Sequence, residues 1–216
     1  MVRPSTWTLR GRREGLYGWI IQPYHMRKLG VRHLTLFVVL TALCTCIQLT
    51  PRPPNVEFTS LITFLTGAVL GVSFGAGLGS LVMFVNGFLS PSGFAGLLLP
   101  FQMLGMALVG VGGGLYGRSR SGSYDSASHV ETAVLGASLT LSFDVLTNLG
   151  WAVPLMLAGQ PVFLAVVSVL VTGAVPSLVH VVSNTAFFGA AFVPATNAVQ
   201  KLLGGGQIWK KDSSHM

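Results

Sequence analysis

Long runs of residues with almost no charge constrain this chain more than any other feature of its sequence. Four of them cover residues 34–50, 97–117, 134–157 and 162–192. Only 9% of the 216 residues are charged, whereas about a quarter of the residues in a soluble domain are. Helices satisfy their own backbone hydrogen bonds, as the interior of a lipid bilayer requires. The sequence therefore predicts an all-α integral membrane protein, a bundle of helices within a lipid bilayer.

The basic residues predict how this bundle is oriented. Of the thirteen Lys and Arg, seven precede the first apolar run, two follow the run that ends at residue 117, and three follow the last run. Lys and Arg concentrate on the cytoplasmic side, so an even number of crossings between these groups places twelve of the thirteen there. We predict six segments in the cytoplasmic (plasma) membrane, with both termini cytoplasmic. The same clustering argues against nucleic acid as a partner, despite the formal charge of +7.

Three parts of the chain follow from this pattern. Residues 1–33 form a basic cytoplasmic or interfacial extension, residues 34–200 the membrane domain, and residues 201–216 a flexible cytoplasmic tail. Residues 59–90 are short for two spans of about 20 residues each, so they form two short tilted helices or a re-entrant pair. The fifth segment is expected to start near Glu131. Residues 162–172 belong either to the last span or to an interfacial helix in the loop before it.

Polar side chains within the apolar runs are the candidate functional residues. A charged group at the bilayer centre costs roughly 2.5–3.5 kcal/mol, so it faces protein or a water-filled cavity. Three segments carry a polar strip on one helical face: Gln102 in the fourth, Asp144, Thr147, Asn148 and Trp151 in the fifth, and Ser177, His180 and Asn184 in the sixth. Each residue taken alone is explained by a hydrogen bond between helices. Together the strips predict a pocket for a small amphipathic ligand, in which Asp144 accepts hydrogen bonds or pairs with a cationic centre and Trp151 stacks on a planar ring.

Motifs for catalysis are missing from the sequence. "GGGLYG", residues 112–117, matches G-x-G-x-x-G, but it ends an apolar run and follows no strand. There is no P-loop motif, metal-ligand spacing or catalytic constellation, which predicts a chain that is not an enzyme, with no cofactor or metal of its own. Cys44 and Cys46 point to different faces of one helix and cannot bridge to each other.

Several stretches between residues 34 and 192 carry a family resemblance. They are "PPNVEFTSLITFLTGAVLG", "PFQMLGMALVGVGGGLYG", "FDVLTNLGWA" and "PSLVHVVSNTAFF", of which the last two are the most specific. In this order they resemble the substrate-binding S component of an energy-coupling factor (ECF) type ABC transporter. The resemblance implies a six-helix protein that captures a vitamin, vitamin precursor or similar micronutrient from outside. ATP would be used by the partners, a transmembrane scaffold subunit and two ABC ATPase subunits.

The resemblance also implies roles for particular residues. In the family, the first, third and fifth loops cover the ligand, which puts Asn55, Glu57 and residues 91–93 at the lid. The small side chains of Ala42 and Cys46 in the first segment would contact the scaffold subunit, where the family often has two alanines. The candidate ligand-binding residues are therefore Asn55, Gln102, Asp144, Asn148, Trp151, His180 and Asn184.

Two other functions stay open at this point. The first is a small proton- or ion-coupled secondary transporter, with Asp144 and His180 as the relay, because such pairs carry protons in membrane pumps. The second is a non-transporting membrane scaffold, in which the polar strips only join helices to one another.

Overall fold

A computed structural model describes residues 31–51, 53–90 and 93–203 of the chain, which belong to one compact unit. Within these ranges the chain forms six α-helices and a turn of 3₁₀ helix, and contains no strand. The all-α prediction is confirmed. The basic N-terminal extension and the tail beyond residue 203 lie outside the described residues. The helices are α1 (Val31–Leu49), α2 (Thr59–Leu70), α3 (Val72–Leu89), α4 (Leu99–Ser119), α5 (Ser126–Leu157) and α6 (Val162–Leu202), with the 3₁₀ turn at Gly96–Leu98.

Five of these helices are long and apolar enough to cross a membrane. The exception is α2, whose 12 residues extend for about 18 Å, whereas the hydrocarbon core of a bilayer is about 30 Å thick. Many large apolar side chains on the outside of the bundle have no protein neighbour to cover them. Val31 and Phe163, for example, are 81% and 80% exposed. These features are consistent with a multi-pass membrane protein.

The short region between residues 59 and 90 is a helical hairpin. Gly71 alone joins α2 to α3, with a φ of 106° that favours glycine. The two helices then pack so closely on α4 that their backbones touch. A Cβ atom added to Gly75 would lie 2.6 Å from the carbonyl oxygen of Gly110. Glycine therefore permits the close helix approach that is typical of membrane bundles.

Helices α5 and α6 form a long pair that extends beyond the other helices. They have 32 and 41 residues, about 48 Å and 62 Å at the usual rise per residue. Pro161 precedes α6, and α6 continues through Pro176 as one helix. The alternative in which residues 162–172 form a separate interfacial helix is therefore wrong. Helix α5 also begins earlier than the expected start of the fifth segment near Glu131. Its first residue is Ser126, five residues before Glu131, and Asp125 caps it by accepting a hydrogen bond from the Ser128 backbone.

The main hydrophobic core lies toward one end of the bundle. Its centre is an aromatic cluster in which the ring of Phe64 lies 5.2–5.8 Å from the rings of Tyr116, Phe188 and Phe192. Cys44 is buried in this core and Cys46 is exposed, as expected for two residues on different faces of α1. The opposite end, where residues 50–58 connect α1 to α2 and residues 90–98 connect α3 to α4, has a smaller core cluster of Ala152, Ala165 and Val169 and contains a cavity.

Candidate functional site

The cavity has a volume of about 890 Å³, within the range of small-molecule binding sites. The α1–α2 loop and the α3–α4 connection form two of its walls, and helices α5 and α6 form a third. Apolar and aromatic side chains such as Phe94, Phe143 and Val169 alternate with polar ones along these walls. We call this space the cavity below.

The polar strip predicted on α5 lines the cavity along its whole length. Asp144, Thr147, Asn148 and Trp151 all face it, as their spacing of three and four residues requires. Asp144 is only 9% exposed, whereas Trp151 is 55% exposed. The strip therefore runs from a buried carboxylate to a half-exposed indole ring.

His180 joins α6 to two carboxylates. Its Nδ1 lies 2.7 Å from Oδ1 of Asp144, and its Nε2 lies 3.1 Å from Oε1 of Glu57 in the α1–α2 loop. The Ser60 hydroxyl donates a further hydrogen bond to the same Glu57 oxygen, at 3.2 Å. His180 is only 4% exposed. The Glu57–His180–Asp144 group, called the triad below, thus ties a loop and two helices together at the wall of the cavity.

Both nitrogens of the imidazole ring are used within the triad. Nδ1 contacts the carboxyl group of Asp144, and Nε2 contacts that of Glu57. Oδ2 of Asp144 takes no part in these contacts and has no partner among the described residues.

Three oxygen atoms beside the triad have no hydrogen-bond partner among the described residues. They are buried from solvent and belong to residues that line the cavity: Oδ2 of Asp144, Oγ1 of Thr147 and Oε1 of Gln102. Buried polar atoms are nearly always hydrogen-bonded in folded proteins. Five further buried atoms without a partner in the described ranges, on His33, Thr63, Tyr124, Asn184 and Thr196, belong to residues that do not line the cavity. The three at the cavity are therefore the ones that a bound molecule is best placed to pair with.

Asn184 lies elsewhere. It is fully buried one turn beyond His180, where its Nδ2 donates to the Thr140 hydroxyl at 3.0 Å, and it is not among the residues that line the cavity. Asn148, in contrast, packs against α6 at Gly173, since a Cβ atom at that position would lie 2.5 Å from Nδ2 of Asn148. The absence of a side chain at Gly173 leaves room for this amide.

The structure thus brings together six of the seven candidate ligand-binding residues. The cavity is lined by Asn55, Gln102, Asp144, Asn148, Trp151 and His180. Glu57, which the resemblance placed only at the lid, is bonded directly to His180. In the sequence, Glu57 can be recognised only as a carboxylate between a proline-rich loop and an apolar helix. Of the lid residues 91–93, Gly93 lines the cavity, and Pro91 and Ser92 lie outside the described residues.

The two candidate partner-binding residues lie on the surface of the bundle. Ala42 and Cys46 are one helical turn apart on α1, and both are exposed. They share this exposed face with Val38 and Val39, which are 57% and 55% exposed. The face is therefore accessible to lipid or to another protein.

A second polar cluster joins α4 to α5 outside the cavity. Arg120 donates through Nε and Nη2 to the two carboxylate oxygens of Glu131, and the Tyr116 hydroxyl donates to Oε2 at 2.8 Å. These hydrogen bonds to Glu131 raise the pKa of Arg120. The pKa of Asp125 is lowered, chiefly by the hydrogen bond from the Ser128 side chain. We call Tyr116, Arg120, Asp125 and Glu131 the Arg120 cluster.

Comparison with protein-family models, with curated proteins and with solved structures found no match. In the part of the chain that the structure describes, no group of three or more His, Cys, Asp or Glu is placed to hold a metal ion.

Proposed function

We propose that this chain is the membrane-embedded substrate-specificity subunit of an ECF-type transporter. It would capture a vitamin, vitamin precursor or similar micronutrient from outside the cell, and partner subunits would hydrolyse ATP to drive import. One observation carries this proposal: carboxylate, amide and aromatic side chains from separate elements converge on a cavity of about 890 Å³ at one end of an apolar helical bundle.

The distribution of charge supports an outward-facing cavity. Seven Lys and Arg precede the first apolar run, which favours a cytoplasmic start for α1. The α1–α2 loop, which forms one wall of the cavity, would then follow the first crossing and lie outside. A ligand would enter from the exterior, with the half-exposed Trp151 among the residues that line the cavity.

The exposed face of α1 supports the proposed contact with a scaffold subunit. Ala42 and Cys46 present small side chains to the outside, and small side chains allow a neighbouring helix to approach closely. The chain contains no P-loop motif, so ATP hydrolysis would be the work of the two ATPase subunits. The non-transporting scaffold is less well supported, because hydrogen bonds between helices do not require a cavity.

The capture step is tested with the chain alone. The full chain, purified from cells grown in rich medium, is denatured, and the released small molecules are identified by mass spectrometry. We expect one compound in near-stoichiometric amount, and a strongly reduced amount from Asn148→Leu, which removes the amide but keeps the side-chain size. Asn197→Leu, at an exposed position remote from the cavity lining, is the matched control. No enriched compound, or equal amounts from both variants, would contradict capture at this site.

The transport step is tested in vesicles that contain the chain with a scaffold subunit and two ATPase subunits. We expect uptake of the identified compound to require ATP, and to be lost in Ala42→Phe while binding is retained. Val134→Phe places the same ring at a position of α5 that is 59% exposed and does not line the cavity, and it serves as the control. ATP-independent uptake, or equal uptake by the two variants, would contradict the proposed partnership.

A second candidate function is supported by the triad itself. The 2.7 Å contact between His180 and Asp144 resembles the proton relays of coupled carriers. Uptake by vesicles that contain the chain alone, driven by a pH gradient and abolished by an uncoupler, would favour this function over the ATP-driven one.

A further inference from the structure

The unpaired oxygens of the cavity specify the kind of molecule that fits there. We propose that the cavity binds a small organic cation, an amine or amidine on a flat apolar body, whose N–H groups donate to Asp144, Thr147 and Gln102. This inference rests on the proposed capture of a small molecule and adds the chemical class of that molecule.

The first support is the inventory of hydrogen-bonding groups. The three unpaired atoms at the cavity are all oxygens that accept hydrogen bonds. The Thr147 hydroxyl can also donate, whereas the Gln102 carbonyl and an ionised Asp144 carboxylate can only accept. A ligand that offers carboxylate or phosphate oxygens would leave Oδ2 of Asp144 unpaired and bring a second anion next to it. A ligand that offers N–H groups satisfies all three oxygens.

The second support is the burial of Asp144. It is 9% exposed, Oδ1 contacts His180, and Oδ2 has no partner among the described residues. An isolated charge is costly in such surroundings unless an opposite charge compensates for it. Hydrogen bonds between charged partners are also roughly twice as strong as those between neutral ones. A ligand cation at Oδ2 would bring an opposite charge next to this carboxyl group and use the stronger kind of hydrogen bond.

The third support is the shape and lining of the cavity. Its volume of about 890 Å³ greatly exceeds that of an inorganic ion and falls within the range for organic ligands. Trp151, Phe94 and Phe143 line it beside the acceptors. Aromatic faces attract cations and stack on flat rings, which favours an aromatic amine or amidine over a compact ammonium ion.

The test uses three probes with the same ring and nearly the same shape: benzamidine, a cation; benzamide, which is neutral; and benzoate, an anion. Their dissociation constants are measured with the full chain in detergent micelles at constant ionic strength. We expect benzamidine to bind about ten- to a hundredfold more tightly than benzamide, as for a hydrogen bond to a charged group, and benzoate to bind most weakly. Equal or tighter binding of benzamide or benzoate, or no binding of benzamidine, would overturn the inference.

Variants test whether the preference for benzamidine over benzamide arises in the cavity. Asp144→Asn should weaken benzamidine binding about ten- to a hundredfold and leave benzamide binding nearly unchanged. Thr147→Val keeps the size of the side chain, removes one acceptor, and should weaken benzamidine binding by up to about tenfold. Glu131→Gln removes a carboxylate of the Arg120 cluster, outside the cavity, and should change neither constant. A charge preference that survives both Asp144→Asn and Thr147→Val in folded, monodisperse protein would refute the assignment.

The proposal that the ligand is a cation and the proposal that the chain captures a small molecule can be disproved separately. If the compound that copurifies with the chain is neutral or anionic, the cation is wrong and capture stands. If benzamidine shows the expected preference and no compound is captured or taken up, the cation site stands and the transport function is wrong.

Discussion

The carboxylates of the two polar clusters differ in how fully the protein satisfies their hydrogen-bonding capacity. Glu131 of the Arg120 cluster has a side chain that is 41% exposed, yet both of its oxygens accept hydrogen bonds from Arg120 or Tyr116. Asp144 of the triad is 9% exposed, and its Oδ2 has no partner among the described residues. The carboxylate with more access to water is the better satisfied by protein. This difference is the reverse of what stability alone would select, and the proposed contact of Asp144 with a ligand depends on it.

The clusters also differ in what they connect. The Arg120 cluster joins α4 to the start of α5, two elements that are adjacent in the sequence. The triad joins the α1–α2 loop to α5 and α6, and His180 lies 123 residues from Glu57. A contact between such distant parts of the chain forms a cavity wall whose shape depends on tertiary structure. The following predictions test this contrast, from the largest expected effect to the smallest.

His180→Ala should have the largest effect. Without the imidazole, the two buried carboxylates would lose their shared partner, and breaking a buried ionic group typically costs about 3–5 kcal/mol. We expect a large fall in the melting temperature of the detergent-solubilised chain, together with loss of benzamidine binding. His129→Ala is the matched control, because the only side-chain hydrogen bond of His129 among the described residues is with the Gly189 carbonyl, at 2.6 Å. An equal fall in melting temperature in both variants would show that the triad stabilises the fold no more than the contact of His129 does.

Gly173→Ala should weaken binding with little effect on stability. The added Cβ atom would displace the Asn148 side chain from its place beside α6, and loss of one hydrogen bond corresponds to up to about tenfold in affinity. Benzamidine affinity is the measured quantity. Gly77→Ala is the control, since the nearest atom to its Cβ would be 4.0 Å away, in Phe37. Unchanged affinity in Gly173→Ala would mean that Asn148 does not contact the ligand.

Tyr116→Phe should have a small effect on stability and none on binding. It removes one donor to Glu131 and leaves both hydrogen bonds from Arg120 in place. Because the Glu131 side chain is 41% exposed, water can replace the lost donor. We expect a slight fall in melting temperature at unchanged benzamidine affinity. A change in affinity would show that the two clusters are coupled through α5.

Asp125→Asn should have the smallest effect, and one that depends on pH. The folded-state pKa of Asp125 is lowered, chiefly by its hydrogen bonds with Ser128. A lowered pKa contributes stability that is present above the ordinary carboxyl pKa and is lost as pH falls through the folded-state value. Melting temperatures of wild type and variant should therefore differ slightly at neutral pH and converge in acid. A difference that grows in acid would contradict this assignment.

The helical face on which a residue lies could be predicted from the sequence, but its position along the helix relative to the cavity could not. Asp144, Thr147, Asn148 and Trp151 lie on one face because of helical spacing, and the structure places all four at the cavity. Asn184 follows His180 by four residues and shares its face, yet it lies one turn too deep and bonds to Thr140. Periodicity defines directions around a helix axis and contains no information about where a cavity ends.

The role of the α1–α2 loop also could not be predicted at this level. A loop has no periodicity, so nothing in the sequence relates Glu57 to His180 before the fold brings them together. The length of α6 was likewise uncertain, because Pro176 disfavours a continuous helix. In the structure α6 continues through that position. Apolar composition and basic clusters therefore define the bundle, and long-range contacts complete the site.

A high-resolution structure of the full chain with benzamidine bound measures the central claim most directly. We predict that the amidinium group lies within hydrogen-bond distance of Oδ2 of Asp144 and that its ring lies beside Trp151, with the triad contacts preserved. A structure in which benzamidine occupies another surface, or in which Oδ2 of Asp144 bonds only to water, would contradict the claim that this oxygen is kept for a ligand.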